Sequence, residues 1–468
     1  MNAHFCWLCW ALAACGSGRV DDTTDSEDPV DDSAPTDDTG APPEPLVVQA
    51  SVHPVMTSIV VLEWTQEAPG SVQAEYSVDE DSWMRSPVYT MQAGPGRLLL
   101  LGIPFDTEVT WRLLTDGQAA TQDARIRTGA CPSGLPDIDH VTGQADAWDP
   151  SIRWFLGSLA PGGGSGGGAR PWTFILDRQG RLVWANQTPS GRTTFSPQPS
   201  VDGSEILIDY NSWWGSFDGG ARSQVARLDI EGTTLGTWDT PGLIHPFTQT
   251  GDGSIAWSAA QGGYAYSGEV LALLDPSGAS RTLFDCNAFS QGHGGSYCGA
   301  NTVWWNPENG HFLYSLYTLD TVIEVDAEGE PVRWFGHLPG SWSFSDPSST
   351  FWWQHGTQYL DDGHLLVSTR RTESARETVI REYALDESDQ SLVQIWSFGE
   401  GEGVYAEILG EPRRLPNGNT LHNFGSTPRI REVSPEGDVV WDVSWDDSGT
   451  LGCTHVVPDL YALWTSAP

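Results

Sequence analysis

The residues of this chain best suited to chemistry stand together in one stretch, Trp342 to Arg371, which reads WSFSDPSSTFWWQHGTQYLDDGHLLVSTRR. Here His355 follows Phe351, Trp352 and Trp353, and Asp361-Asp362-Gly363 then turns the chain into a strand, His364 to Thr369, beside Arg370. An imidazole held at the inner end of a strand by rigid aromatic neighbours, with an arginine near it, is suited to act as a nucleophile or a proton carrier. The 23 basic residues are all arginine. With no lysine, Schiff-base chemistry, a lysine base and a phosphate-loop lysine are excluded. A formal net charge of -39 argues against nucleic acid and anionic membrane surfaces as partners. An anionic substrate would have to be drawn in by local Arg, His or backbone N–H groups.

The elements that must hold His355 are expected to be strands. The 468 residues include 52 Gly, 31 Pro and 23 Trp, and no long helical periodicity is present, which points to an all-β chain. From residue 46 to 128, short apolar or alternating runs (VVQASVHP, SIVVLEWTQ, SVQAEYSVD, GRLLLLGIP, TEVTWRLLTD) have the spacing of a small immunoglobulin-like or fibronectin-like sandwich. From 131 to 458 the chain repeats. D-x-x-G turns place glycines at 180, 232, 278 and 329, with Ser434 to Gly437 as a variant. A second series, Asp202-Gly203, Asp252-Gly253, Asn309-Gly310, Asp362-Gly363 and Asn417-Gly418, recurs at 50, 57, 53 and 55 residues. Two turn series in step, with apolar strands such as RLVWAN, TLGTWD, EPVRWFG, LVQIWSFG and DVVWDVSW closing the units, predict a six-bladed β-propeller. Residues 459–468 read as a C-terminal tail.

The first residues read as targeting. A short apolar run, Phe5 to Ala14, ends at Leu12-Ala13-Ala14-Cys15, like the lipobox of bacterial lipoproteins, with Cys15 as the lipidated residue. Residues 16–45 carry ten acids against Arg19 alone and read as a disordered acidic tether. The expected location is the bacterial cell envelope, with a lipid anchor as the sole membrane contact. Gly162 to Gly168 reads as a flexible surface loop, since neither a following helix nor a lysine supports phosphate binding. Four cysteines remain in the folded body. Of three possible pairings, Cys131 with Cys453 and Cys286 with Cys298 are favoured; without C-x-x-C spacing, no metal site is expected from them. His311, His364 and His422 are expected to face solvent; the tryptophan pairs 213–214, 304–305 and 352–353 would in a strand put one ring on each face, and some are expected to line a channel suited to flat aromatic ligands.

Three phrases carry a family likeness: NTVWWNPENGHFLYSLYTLDTVIEVDAEGEPVRWFG, FWWQHGTQYLDDGHLLV and RRLPNGNTLHNFGSTPRIREVSPEGDVVWDV. Over most of residues 150 to 445 the chain resembles the bacterial aryl-sulfate sulfotransferases. The resemblance implies ping-pong transfer of a sulfuryl group from an aryl sulfate to a phenol, through a histidine and with no cofactor. It puts the nucleophile at His355 and a channel histidine at His245, in LIHPFTQTGDG. The family's H-x-N becomes Gly299-Ala300-Asn301, so Asn301 is kept and the histidine is lost. The family arginine falls on Tyr317. Arg370 and His293 are candidate replacements for the missing groups. Two other functions compete: a catalytically reduced propeller that binds a ligand or an envelope protein, and a quinone-cofactor dehydrogenase. The last would need acidic metal ligands and a tryptophan docking repeat that the chain does not display.

Overall fold

The computed structural model describes residues 46–79, 82–161, 170–263, 268–445 and 449–468. Cys15, the acidic tether and the Gly162 to Gly168 loop lie outside them. The described chain is nearly all β, with only short helical turns.

The two turn series explain its layout. The second series forms the hairpin between the first and second strands of successive sheets, and the D-x-x-G series forms the hairpin between the third and fourth. In the D-x-x-G turns the aspartate carboxylate caps the loop; Asp275, for example, accepts from the backbone of Ser277 and Ala279. Such turns need a left-handed residue, and Gly278 (φ 89°) supplies it without a Cβ penalty.

Among the described residues, six sheets, antiparallel apart from the short parallel pairing of Ser343–Phe344 with Ser391 and Leu392, follow one another along the repeat region. Both ends of the repeat region join sheets begun elsewhere. The strand Ile138–Gly143 adds to the outside of the last sheet by pairing with Val439–Trp445, while Thr450–Leu451 and His455–Val457 pair with Trp154–Ala160 to form the inside of the first. The inner strands touch in turn. Ser196 bonds Cys453 (3.3 Å), Gln198 Nε2 donates to the Phe247 carbonyl (3.1 Å), and Asn301 Nδ2 donates to the Gln354 carbonyl (2.6 Å). Arg413 meets His455 (3.1 Å), joining the last sheet to the first.

Ahead of this region lie two further sheets, one of three strands (Val48–Val52, Val60–Gln66, Gly94–Leu100) and one built on Gly70–Ser77 and Glu108–Thr115. Alternating inward residues, including Leu62, Trp64, Leu98, Val72, Tyr76 and Trp111, share one core. That core continues into Trp154, Trp184 and Ile208 of the repeat region. The residues expected as a tail seal the junction. Leu460, Leu463 and Trp464 are buried, and the Tyr461 hydroxyl donates to the Leu99 carbonyl (2.9 Å).

Candidate functional site

His355 stands on the inner strand Trp352–Tyr359, whose pairing with Leu365–Arg370 shifts register on both sides of it. Trp353 (φ 52°) and Gly356 (φ 59°) are both left-handed, so the histidine sits on a doubled bulge. A left-handed tryptophan costs energy and persists only where its surroundings over-determine it. They do so here. Trp353 N–H donates to the Asp320 carboxylate, and Gln354 Nε2 donates to Ser315 Oγ (3.2 Å) and to the Leu316 and Thr321 carbonyls (both 3.1 Å). Gly356 N–H donates to Thr302 Oγ1 (2.9 Å). A Cβ on Gly356 would lie 2.5 Å from Glu411 Cα, so the glycine is required by space as well as by backbone. The Q-H-G phrase is therefore the local cause of the histidine's placement.

His355 lines a cavity of about 420 Å³ together with His245, Asn301 and Tyr317. The other walls include Phe195, Trp213, Trp214, Ile244, Tyr297, Ile408 and Leu409 and, among the described residues, no arginine. His245 arrives on a second irregular strand, Leu243–Gln249, whose register shifts between Leu243 and Phe247. Its Nε2 is buried without a hydrogen-bond partner, an expensive state that suits a position awaiting a ligand. Burial holds the His245 imidazole down at about 4. His355 is held at about 3, chiefly by burial and then by the proximity of His245, against its contact with the Trp353 carbonyl. Both rings are neutral at pH 7. His355 Nδ1 faces that carbonyl at 3.4 Å; a proton there leaves Nε2 as the lone-pair nitrogen.

Tyr317 stands where the resemblance called for an arginine, its ring edge-on to His355 at 4.9 Å and 5.0 Å from Trp353. Behind them, the Arg370 guanidinium lies 5.1 Å over Trp353 and 5.3 Å over Tyr405, with its Nε buried and unpartnered. Its charge reaches the site. It opposes the upward push of burial on the Tyr317 hydroxyl, and it helps hold the His355 pKa down. Gly299 has no room for a histidine: it is left-handed (φ 56°), and a Cβ would meet Thr318 Cγ2 at 2.6 Å. The Cys286–Cys298 disulfide closes the loop that carries Tyr297, immediately before Gly299.

Several expectations are corrected. His293 does not reach the cavity; it ends the short helix Cys286–Gly292 and packs on Phe289 (4.3 Å) and Trp334 (5.0 Å). Cys131 and Cys453 are free thiols. Cys131 is exposed, whereas Cys453 is turned inward with its Sγ 2.8 Å from Glu411 Oε1 and 3.3 Å from Ser196 Oγ, so the clasp between them is not made. His422 is fully buried against Ser368 Oγ (2.9 Å), and burial holds it at about 3. His311 and His364 are partly exposed and bond Glu324 (2.6 Å) and Glu382 (2.9 Å), locking the hairpin turns. Asp362, His364 and Glu382 bring ligand-type atoms within 4.8 Å of one another, yet Arg414 already occupies Glu382. Trp213 and Trp214 sit in a short helix, Ser212–Ser216, rather than in a strand.

The sequence reading missed Phe195, Leu409 and Glu411. A positional signal existed for the first. His245, His355 and Phe195 each stand eight residues before a turn glycine (253 − 245, 363 − 355 and 203 − 195).

The solved structures that match are distant. A Bacteroides caccae protein of unknown function is 18% identical, with 62% of this chain and 93% of that one covered at a TM-score of 0.42. A putative 6-phosphogluconolactonase from Bacteroides uniformis is 13% identical, with 84% and 100% covered at 0.40. A streptogramin B lyase is 10% identical, with 68% and 97% covered at 0.40. No curated protein matches the chain significantly. The arylsulfotransferase (ASST) family model matches residues 168–448, more than half of the chain, a span that contains His245, Asn301, Tyr317 and His355. The chain belongs to the arylsulfotransferase family.

Proposed function

We propose that this protein transfers a sulfuryl group from an aryl sulfate to a phenol through His355. The observation that carries the reading is two neutral histidines, His355 and His245, facing one apolar cavity beside Asn301 within the family-matched span.

In the first half-reaction the Nε2 lone pair of His355 attacks sulfur, the N–S bond forms, and the aryl O–S bond breaks to release a phenoxide, which takes up a proton. In the second, the acceptor phenol gives up a proton, its oxygen attacks sulfur, and the N–S bond breaks to restore the neutral imidazole. Protons balance over the cycle. Charge spreads over three sulfuryl oxygens in transit, and donors aimed at them supply the stabilisation. The unpartnered His245 Nε2 is one candidate donor, and the Arg370 guanidinium adds positive potential from behind Trp353. Turnover of a chromogenic aryl sulfate by wild type but not by His355→Ala tests the proposal.

A second reading is a propeller that binds aromatic ligands without turning them over. It is favoured by the absence of arginine from the cavity wall among the described residues and by the crowding at Gly299. We read the six successive sheets as propeller blades, supported by the ring of inner-strand contacts, and the preceding pair as a sandwich domain, supported by their shared core. The proposed location is the cell envelope, on a lipid at Cys15, supported by the Leu12 to Cys15 phrase.

A further inference from the structure

The cavity is divided. Its polar groups, His245, Asn301 and His355, come from inner strands, while Trp213, Trp214, Ile244, Tyr297, Ile408 and Leu409 supply the apolar wall. Two of these are large and open to solvent, Tyr297 at 52% and Ile408 at 45% exposed, and Phe217, at the end of the helix that carries the tryptophans, is 42% exposed. Single exposed apolar residues need no explanation, but apolar residues gathered on a concave surface beside reactive groups mark a binding surface.

Size sharpens the point. About 420 Å³ lies in the range that encloses drug-sized ligands, so a single phenol ring at His355 leaves much of the space unfilled. Among the described residues, the wall left over offers neither an arginine nor a carboxylate to a polar substituent.

We infer that the preferred substrate is a phenol, or its sulfate ester, bearing a bulky apolar substituent that lies along Trp214, Tyr297 and Ile408 while the phenolic oxygen sits at His355. For its chemistry this rests on the sulfuryl-transfer reading; for binding it does not. The charge balance agrees, since the substituent adds no anion to a protein of formal charge -39. The Cys286–Cys298 disulfide then acts as a specificity device, because it holds the loop that presents Tyr297.

The test uses a series of 4-alkylphenols, from methyl to hexyl, as acceptors and as ligands. Each methylene that enters the apolar wall should strengthen binding about fourfold until the wall is covered. Dissociation constants from tryptophan fluorescence, measured on wild type, His355→Ala and Ile408→Asp, are compared with kcat/KM for acceptor use. Wild type and His355→Ala should show the chain-length slope, and Ile408→Asp should flatten it. A slope in binding without turnover upholds this inference and sinks the sulfuryl-transfer reading. Binding that is flat or falls with chain length overturns the inference, whatever the turnover. A slope that survives Ile408→Asp unchanged also overturns it, because the chain would then lie elsewhere.

Discussion

The Tyr317 ring stands edge-on to the His355 imidazole, with centroids 4.9 Å apart and planes at 63°. This contact shields the proposed nucleophile from water at the position where the family resemblance called for a cation. The imidazole is thereby kept in a site that penalises its charged form. Tyr317→Phe should preserve the contact and change kcat/KM by less than about threefold. Tyr317→Ala should hydrate His355 and move the acid limb of the pH–rate profile up toward 6.5, the ordinary histidine value. An unmoved limb in the alanine variant would separate Tyr317 from this role.

The same burial fixes the pH dependence of activity. With His355 at about 3, kcat/KM should stay level from pH 7 down to pH 5 and fall only as the pKa is approached. A limb near 6.5 would mean that the imidazole is solvated.

Stability should follow with a sign that can be worked out. His245, His355 and His422 titrate near 6.5 when unfolded but at about 4, 3 and 3 when folded, so between those values the unfolded chain binds more protons. Stability is lost as pH falls through that window. Asp209 acts oppositely. Its carboxyl is pushed by burial to about 8, so the folded state keeps a proton and its stabilisation is lost as pH rises toward 8. These groups together place the maximum of Tm near pH 6.5, and Asp209→Asn should remove the alkaline decline. A Tm that is flat from pH 4 to 8 would contradict the assignment.

The doubled bulge gives a contrast between two left-handed glycines. Gly356→Ala forces a Cβ to 2.5 Å from Glu411 Cα at φ 59°, whereas Gly363→Ala at φ 81° meets nothing within 4 Å. The second should cost about 1 kcal/mol, from backbone preference alone. The first should cost about 3 kcal/mol and lower kcat/KM at least tenfold by shifting His355. Denaturant unfolding and steady-state kinetics on both variants check this; equal effects would remove the bulge from the account.

The repeat was legible because its turns need left-handed residues, and glycines such as Gly278 and Gly363 register that need in the chain itself. One hairpin escaped for the same physical reason. Between Thr378–Asp386 and Ser391–Phe398 the left-handed position is filled by Gln390 (φ 48°), which no glycine pattern finds. His355 and His245 were legible through their phrases and converge on one cavity. The fates of His422 and Cys453 were not, because each depends on what a distant strand places opposite it. Leu460, Leu463 and Trp464 looked like a tail because their partners lie more than two hundred residues back, in the N-terminal sheets and at Ile230 and Glu231.

The most direct test of the central claim is phenol release from a chromogenic aryl sulfate, with a phenolic acceptor present, by the folded body and by its His355→Ala variant. The account predicts steady turnover by the wild type and a loss of at least about 10³-fold in the variant, with Tm retained. Turnover that persists in His355→Ala would move the chemistry to another residue, and no turnover by the wild type across a panel of donors would leave a ligand-binding propeller.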